Sequence, residues 1–307
     1  MSEASSLARA QAALELGRWQ EAVHEALRAI GEDPEGPSGH YFLGRALLEL
    51  GREEEALHAL ETACAKSPTW SPPHVLRSDV LRFAGSYRQA LAAAEEALRL
   101  DPHSATAHMA VALSAQKLGD AARARGESGR ALALAPRSAP LQRCAGDVFL
   151  AQHANAQAES QYRRSLELDA GDALALNNLA LALQRQGKAD EALDAFRAAV
   201  NADPNLHVVK RNLRNLLGKK LGKAGIGGIG VVMWLVLQLG HVGSSLPENA
   251  QTSGGDVMFL FMLCGLAFVA LGVLGVKSEY RRRLSELDPD LRSLHERLEA
   301  DHHAGRL

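Results

Sequence analysis

The chain has 307 residues, a formal net charge of −2 and 47% hydrophobic residues, of which few are aromatic (5% of the chain). The length allows two domains, and the near-neutral charge lacks the basic footprint of a nucleic-acid binder. Cys64, Cys144 and Cys264 form no pairing framework, which points to a reducing compartment. Residues 1–16 carry Glu3 and no long apolar core, so they do not read as a secretory signal.

From residue 3 to residue 206 the sequence repeats on a 34-residue period. Pro34, Pro68, Pro102, Pro136 and Pro204 keep that phase, and Ala170 fills the missing place. Gly17, Gly51, Gly85, Gly119 and Gly187 form a second register. A third runs Ala22, Ala56, Ala90, Ala124, Ala158 and Ala192, and a fourth runs Ala29, Ala63, Ala97, Ala131, Ser165 and Ala199. Six units follow, a signature of repeat architecture.

The second unit shows the plan. Residues 41–50 have helical periodicity, and Gly51 stops them as a glycine just past a helix does. Residues 53–66 form a second helical run with Leu57, Leu60 and Ala63 on one face. Ser67-Pro68 ends it, because the residue before proline leaves the helical region. The in-phase alanines let the two helices approach closely. One hairpin cannot bury its own apolar face, so neighbours must stack.

The first unit opens on a polar helix suited to a solvent-facing cap. In the fourth unit Gly126 and Gly129 fall inside the second helix, at about 1 kcal/mol each against alanine; this reads as a weak helix held by packing rather than as a hinge. The fifth unit diverges most, with His153-Ala154-Asn155 where a turn glycine is expected and Ala170-Gly171 where proline is expected. After Pro204, Leu206, Val209, Leu213 and Leu216 mark one more helix, ending near Leu217, that covers the last apolar face.

These features resemble the tetratricopeptide repeat family. The residues that carry the resemblance are Leu43, Gly44, Gly51, Ala56, Leu60, Ala63 and Pro68 in the second unit, and Leu179, Gly187, Ala192, Phe196, Ala199 and Pro204 in the sixth. The resemblance implies an all-α fold: a right-handed solenoid of about six helix-turn-helix repeats over residues 1–206. It also implies that the first helices line a concave groove. The groove places fall on Tyr41, Phe42, Arg45, Val75, Asp79, Arg82, Met109, Leu113, Arg143, Asp147, Asn177, Asn178, Leu181 and Gln184. Among these, Tyr41, Phe42, Arg45, Asp79, Arg82, Met109, Arg143, Asp147, Asn177 and Asn178 are the candidate partner-binding residues, mixing apolar anchors with groups that can hold a peptide backbone or carboxylate. Members that clamp chaperone C-termini use Lys, Asn and Arg at set places; Tyr41, Val75, Asp79 and Ala110 depart from that pattern. His40, His74 and His108 recur at a place where the family often has a large aromatic residue, so a packing role is implied; neighbouring repeats stand too far apart to share one metal.

Beyond residue 206 the chain changes character. Residues 207–223 form the capping helix and a basic linker. Residues 224–242 contain no Asp, Glu, Lys or Arg, and 257–276 are uninterrupted and apolar; at 1.5 Å per residue both match a bilayer core. The polar link 243–256 contains no Lys or Arg, whereas Lys210, Arg211, Arg214, Lys219, Lys220 and Lys223 precede the first run and Lys277, Arg281, Arg282 and Arg283 follow the second. The positive-inside rule then expects a transmembrane hairpin with an external loop and both termini cytosolic. Two spans and the alanine- and arginine-rich composition lean toward a bacterial inner membrane. In the tail, 277–307, a basic flank leads to Asp288-Pro289, which reads as a cap and first helical position, and Leu291, Leu294 and Leu298 mark an amphipathic helix. That helix is expected to dock on the chain itself rather than form a coiled coil.

The stretch Gly225–Gly230 matches GxGxxG but lacks the preceding strand that a dinucleotide site needs. Its Gly227, Gly228 and Gly230, with Gly265, Gly272 and Gly275, suit close helix contact in lipid, within one hairpin or between copies in a homo-oligomer. No catalytic, cofactor or metal constellation can be assembled from the spacings. The sequence reads as a non-enzymatic, membrane-anchored scaffold with partners in a protein or peptide and in membrane lipid, and none in nucleic acid. The alternative is a regulatory or structural subunit of an oligomeric membrane transport complex.

Overall fold

The reason each repeat folds as a helical hairpin is visible at its two turns. In the computed structural model, which describes residues 5–222, 278 and 280–305, Gly17, Gly51, Gly85, Gly119 and Gly187 all have left-handed φ, between 68° and 86°. In the second repeat the Gly51 N–H bonds the Leu48 carbonyl and the Arg52 N–H bonds the Leu47 carbonyl, both at 2.9 Å. This pair of bonds satisfies carbonyls a helix end would otherwise leave open. The fifth repeat makes the same turn without glycine: His153 takes φ 59°, and the Ala154 N–H still reaches the Phe149 carbonyl at 3.0 Å. Between repeats, the residue before each proline turns out of the helix, as at Ser67 (φ −139°, ψ 81°). Asp169, which precedes Ala170, adopts nearly the same angles (−143°, 92°), and its carboxylate accepts the Gly171 N–H at 3.1 Å. Asp101 and Asp203 make the same bond before proline, accepting the His103 and Asn205 N–H groups at 3.1 and 2.8 Å, so the turn keeps its form without proline.

The helices are α1 (Ser6–Glu15), α2 (Trp19–Glu32), α3 (Pro37–Glu49), α4 (Glu53–Lys66), α5 (Ser71–Phe83), α6 (Tyr87–Leu100), α7 (Ala105–Lys117), α8 (Ala121–Leu134), α9 (Ala139–Ala151), α10 (Asn155–Leu168) and α11 (Ala173–Arg185) in one unit, Met1–Lys188. A second unit, Ala189–Leu307, holds α12 (Ala189–Ala202), α13 (His207–Gly222), helical turns over 280–286, and α14 (Pro289–His303).

In the first unit each odd-numbered helix from α3 to α9 packs on its own partner, on the preceding even-numbered helix and on the next odd-numbered helix. The odd helices therefore form one continuous layer. The in-phase small residues sit where the paired helices cross: Ala22, Ala56, Ala90, Ala124 and Ala158 are all 0% exposed. Ser165 holds the other register and is also fully buried. Its hydroxyl donates to the Ala139 carbonyl at 2.8 Å. Two repeats earlier the partners are exchanged: Ser71 donates to the Ala97 carbonyl at 2.9 Å.

A further small position faces the second helix. Gly44 approaches Leu60, so that an added Cβ would lie 2.6 Å from Leu60 Cγ, and Gly146 approaches Tyr162, with a Cβ falling 2.5 Å from the ring. In the first, third and fourth repeats both places are small, with Ala10, Ser78 and Ala112 at the first and Ala26, Ala94 and Ser128 at the second; in the sixth they are Ala180 and Phe196.

Helix α8 runs unbroken through Gly126 and Gly129, and a Cβ on either would meet nothing within 4 Å. Nothing in the packing requires these glycines. The double substitution Gly126→Ala/Gly129→Ala is therefore expected to slow hydrogen exchange of the α8 amides, by about 1–2 kcal/mol in local opening free energy. Unchanged exchange would show that the helix is not limited by its own propensity.

In the second unit Val209, Leu213, Leu216 and Leu217 of α13 are at most 5% exposed, and α13 packs between α12 and α14. The helix extends beyond Leu217 to Gly222. Asp288 caps α14 by accepting the Asp290 N–H at 2.8 Å, Leu298 is 1% exposed, and Arg197 of α12 pairs with Asp290 at 2.7 Å. The tail helix is thus seated on its own unit. No helix among the described residues is long and apolar enough to cross a membrane. The runs 224–242 and 257–276, the link 243–256 and the glycines of 225–230 lie outside the described residues.

Candidate functional site

The layer of odd helices carries the candidate residues: Tyr41, Phe42 and Arg45 on α3, Asp79 and Arg82 on α5, Met109 on α7, Arg143 and Asp147 on α9, and Asn177 and Asn178 on α11. They fall into two clusters and two buried supports.

At α3 the Tyr41 ring stands 5.0 Å from Trp70 and 5.4 Å, edge on, from Phe42. Trp70 comes from the turn that starts α5, so this aromatic group spans two repeats. Burial pushes the Tyr41 phenol above its ordinary pKa; Arg45 opposes the shift and Asp79 adds to it. Arg45 itself is exposed. On α5, Arg82 pairs with Asp79 at 2.9 Å, and its guanidinium lies 4.6 Å over the Phe83 ring, a cation–π geometry. Burial raises the Asp79 carboxyl, with Arg82 opposing.

The second cluster centres on Asp147. One carboxylate oxygen accepts from the Tyr162 hydroxyl at 2.7 Å and from the Asn178 amide at 2.8 Å. Arg143 lies 4.0 Å from the other oxygen and 3.0 Å from Asp172. Asp172 also caps α11, accepting from the Leu174 and Ala175 N–H groups at 3.0 and 2.9 Å. The network ties α9, α10 and α11 into one block. Burial raises the Asp147 carboxyl, and the Tyr162 hydroxyl, Arg143 and Asn178 pull it back. The Tyr162 hydroxyl is pushed far above its usual range, first by burial and then by Asp147. Cys144, beside this cluster, is held up to about 11 by burial, so it stays a thiol at neutral pH and lacks the thiolate needed for nucleophilic chemistry.

Two candidates do not line a surface. Met109 is 2% exposed and packs with Leu141 and Val148; the apolar side chain turns into the core between repeats. Asn177 is 4% exposed, and its amide donates to Asn178 at 2.9 Å. Both support the face from behind. Conversely, sequence periodicity did not mark Trp70, Tyr162 or Asp172. Size alone does not single out Tyr162, because Leu60 and Phe196 hold the same place in their repeats; what sets it apart is the hydroxyl.

Tetratricopeptide repeat profiles match residues 7–69 and 75–140, and again 173–206, together just over half of the chain. The chain belongs to the tetratricopeptide repeat family. The unmatched stretch 141–172 is the repeat without turn glycine or proline. A crystal structure of a thermophilic tetratricopeptide repeat protein of Thermus thermophilus aligns with TM-score 0.54 and 26% identity, covering 58% of this chain and 97% of that one. A tetratricopeptide repeat protein of Parabacteroides merdae aligns with TM-score 0.59 and 18% identity over 69% of this chain and 82% of that one. No curated protein matches.

Within these tetratricopeptide repeats one of the three recurrent histidines, His108, serves the inter-repeat turn. His108 Nδ1 lies 2.7 Å from Glu127, and Nε2 lies 3.2 Å from the Pro102 carbonyl. At the same place one repeat later, Gln142 donates to the Pro136 carbonyl at 2.9 Å. His74 is buried with neither ring nitrogen bonded, and burial holds its pKa below the usual value. Among the described residues no group of His, Cys, Asp or Glu could hold a metal ion.

Proposed function

We propose that this tetratricopeptide repeat protein is a non-enzymatic scaffold that holds a protein or peptide partner along its odd-helix layer at the cytosolic face of a membrane. The observation that carries the partner-binding half is the alternation on that layer. The Tyr41–Phe42–Trp70 aromatic group with exposed Arg45 offers an anchor site, and the Asp147–Asn178–Arg143 block offers prearranged hydrogen-bonding groups. Aromatic and arginine anchors supply most binding energy in protein interfaces, and a fixed polar block loses little entropy on binding.

The anchoring half rests on the sequence of 224–242 and 257–276. It is supported by the meeting of their flanks, since Arg283 donates to the Lys220 carbonyl at 3.2 Å. A membrane hairpin starts and ends on one side, so its two ends should lie close together. The membrane proposed is a bacterial inner membrane.

The test uses the full-length protein crosslinked in native membranes, with captured partners identified by mass spectrometry. Tyr41→Ala, Arg45→Ala and Asn178→Ala are each expected to weaken a captured partner by about tenfold, the scale of an anchor worth about 1.4 kcal/mol, with helical content unchanged. A partner retained by all three variants would not be bound on this face.

A further inference from the structure

The basic residues on either side of 223–279 are separated by about sixty positions in sequence, yet they come together in the second unit. Lys219 and Lys220, at the end of α13, are exposed, as are Arg281 and Arg282 in the turns over 280–286. Arg283 closes the group by donating to the Lys220 carbonyl. Two carboxylates balance part of this charge: Asp190 pairs with Lys220 at 2.6 Å and Glu286 with Arg282 at 3.7 Å. Both acids are largely exposed, 86% and 60%, and exposed ion pairs of this kind contribute little. A multivalent anionic surface can therefore displace them.

We propose that Lys219, Lys220, Arg281 and Arg282 form a binding surface for anionic phospholipid headgroups in the cytosolic leaflet. The proposal rests on the membrane reading above, which sets the patch where the chain enters and leaves the bilayer. Each cation held near an anionic leaflet adds to the attraction and acts only within a Debye length. Convergence of both flanks raises the number of cations within that reach from two to four. The surface would recruit anionic lipid around the hairpin and fix the tilt of the second unit against the membrane.

The test reconstitutes the full-length protein into vesicles of phosphatidylcholine with about one-fifth phosphatidylglycerol, then measures the lipids retained around it in detergent-free nanodiscs. Phosphatidylglycerol is expected to be enriched about threefold over the bulk, as a screened multivalent attraction predicts. The variant Lys219→Gln/Lys220→Gln/Arg281→Gln/Arg282→Gln should fall to the bulk ratio, as should the native protein reconstituted at high salt. A control variant of equal charge, Arg88→Gln/Arg130→Gln/Arg137→Gln/Arg164→Gln, should keep the enrichment. Enrichment that survives the first variant overturns the proposal. So does inorganic phosphate that removes it more effectively than chloride at equal ionic strength, which would indicate a soluble phosphate ligand. Alkaline carbonate separates the two levels: protein that stays inserted without enrichment overturns this inference alone, and protein that washes off overturns the membrane reading with it.

Discussion

Gly146→Ala is expected to loosen the fifth repeat by about 2–3 kcal/mol, the upper part of the range for overpacking a core. The added Cβ would lie 2.5, 2.7 and 2.9 Å from three atoms of the Tyr162 ring. A flexible side chain could swing away, but this ring is 0% exposed and its hydroxyl is held by Asp147 at 2.7 Å. Moving it breaks a buried hydrogen bond, and leaving it in place forces α9 and α10 apart. Because repeats in a solenoid are stabilised largely by their neighbours, the effect should be local: amides of α9 and α10 exchange about thirtyfold faster or more, while those of α1 to α4 change little. Tyr162→Ala alone should cost about 3–5 kcal/mol through the cavity and the lost hydrogen bond. In the double variant Gly146→Ala/Tyr162→Ala the methyl groups recreate the Ala10/Ala26 pairing of the first repeat. Its cost should therefore fall well below the sum of the two single variants. Additive costs would mean that the close approach is not what demands glycine at 146.

That pairing also shows what the sequence made legible and what it did not. The period could be read because the turns need particular backbones: glycine supplies left-handed φ at residues 51 and 119, and proline ends helices at 68 and 136. Where the sequence broke its own rule, the backbone of the turn kept its form. His153 accepted the left-handed conformation, and Asp169 made the carboxylate–backbone bond that Asp101 and Asp203 make before proline. Neither substitution could be evaluated from the period alone, because the hydrogen bonds of these turns involve neighbours of the altered residue. The match of Gly44 to Leu60 and Gly146 to Tyr162 was likewise hidden, since it couples two registers that periodicity treats separately.

The candidate face was less legible than the fold for a related reason. Repeat phase gives each residue an address on its helix, whereas exposure depends on the rotation and neighbours of that helix. Arg45 and Met109 hold groove places by phase, yet Arg45 is exposed and Met109 is buried. A long apolar side chain at such a place gains more by folding inward, about 1.5–3 kcal/mol for full burial, than by waiting for a partner. Asn177 is buried for a different reason: its amide finds a partner in Asn178, which removes the penalty of leaving water. Phase identified the helices that present the face, and side-chain energetics decided which residues reach it.

Alkaline carbonate is expected to leave the full-length protein in the membrane pellet. Residues 257–276 are rich in Leu, Val and Phe, each favourable by about 0.3–0.6 kcal/mol at the centre of a span. Residues 224–242 contain five glycines and are the weaker of the two proposed spans, so retention should depend chiefly on the second run. Leu266→Arg, near its middle, adds about 2.5–3.5 kcal/mol of insertion cost, and it should move a large fraction of the protein to the supernatant. A charge placed in the polar link, such as Ser245→Arg, should have little effect on extraction. Topology adds an independent readout. In intact cells a membrane-impermeant maleimide should label Ser245→Cys and leave Cys64 unlabelled, because the proposed hairpin puts the link and the repeats on opposite sides. Extraction of the native protein by carbonate, or reporters fused to the two termini that sit in opposite compartments, would remove the hairpin. The tetratricopeptide repeats would then present their partner-binding face without a membrane to hold it.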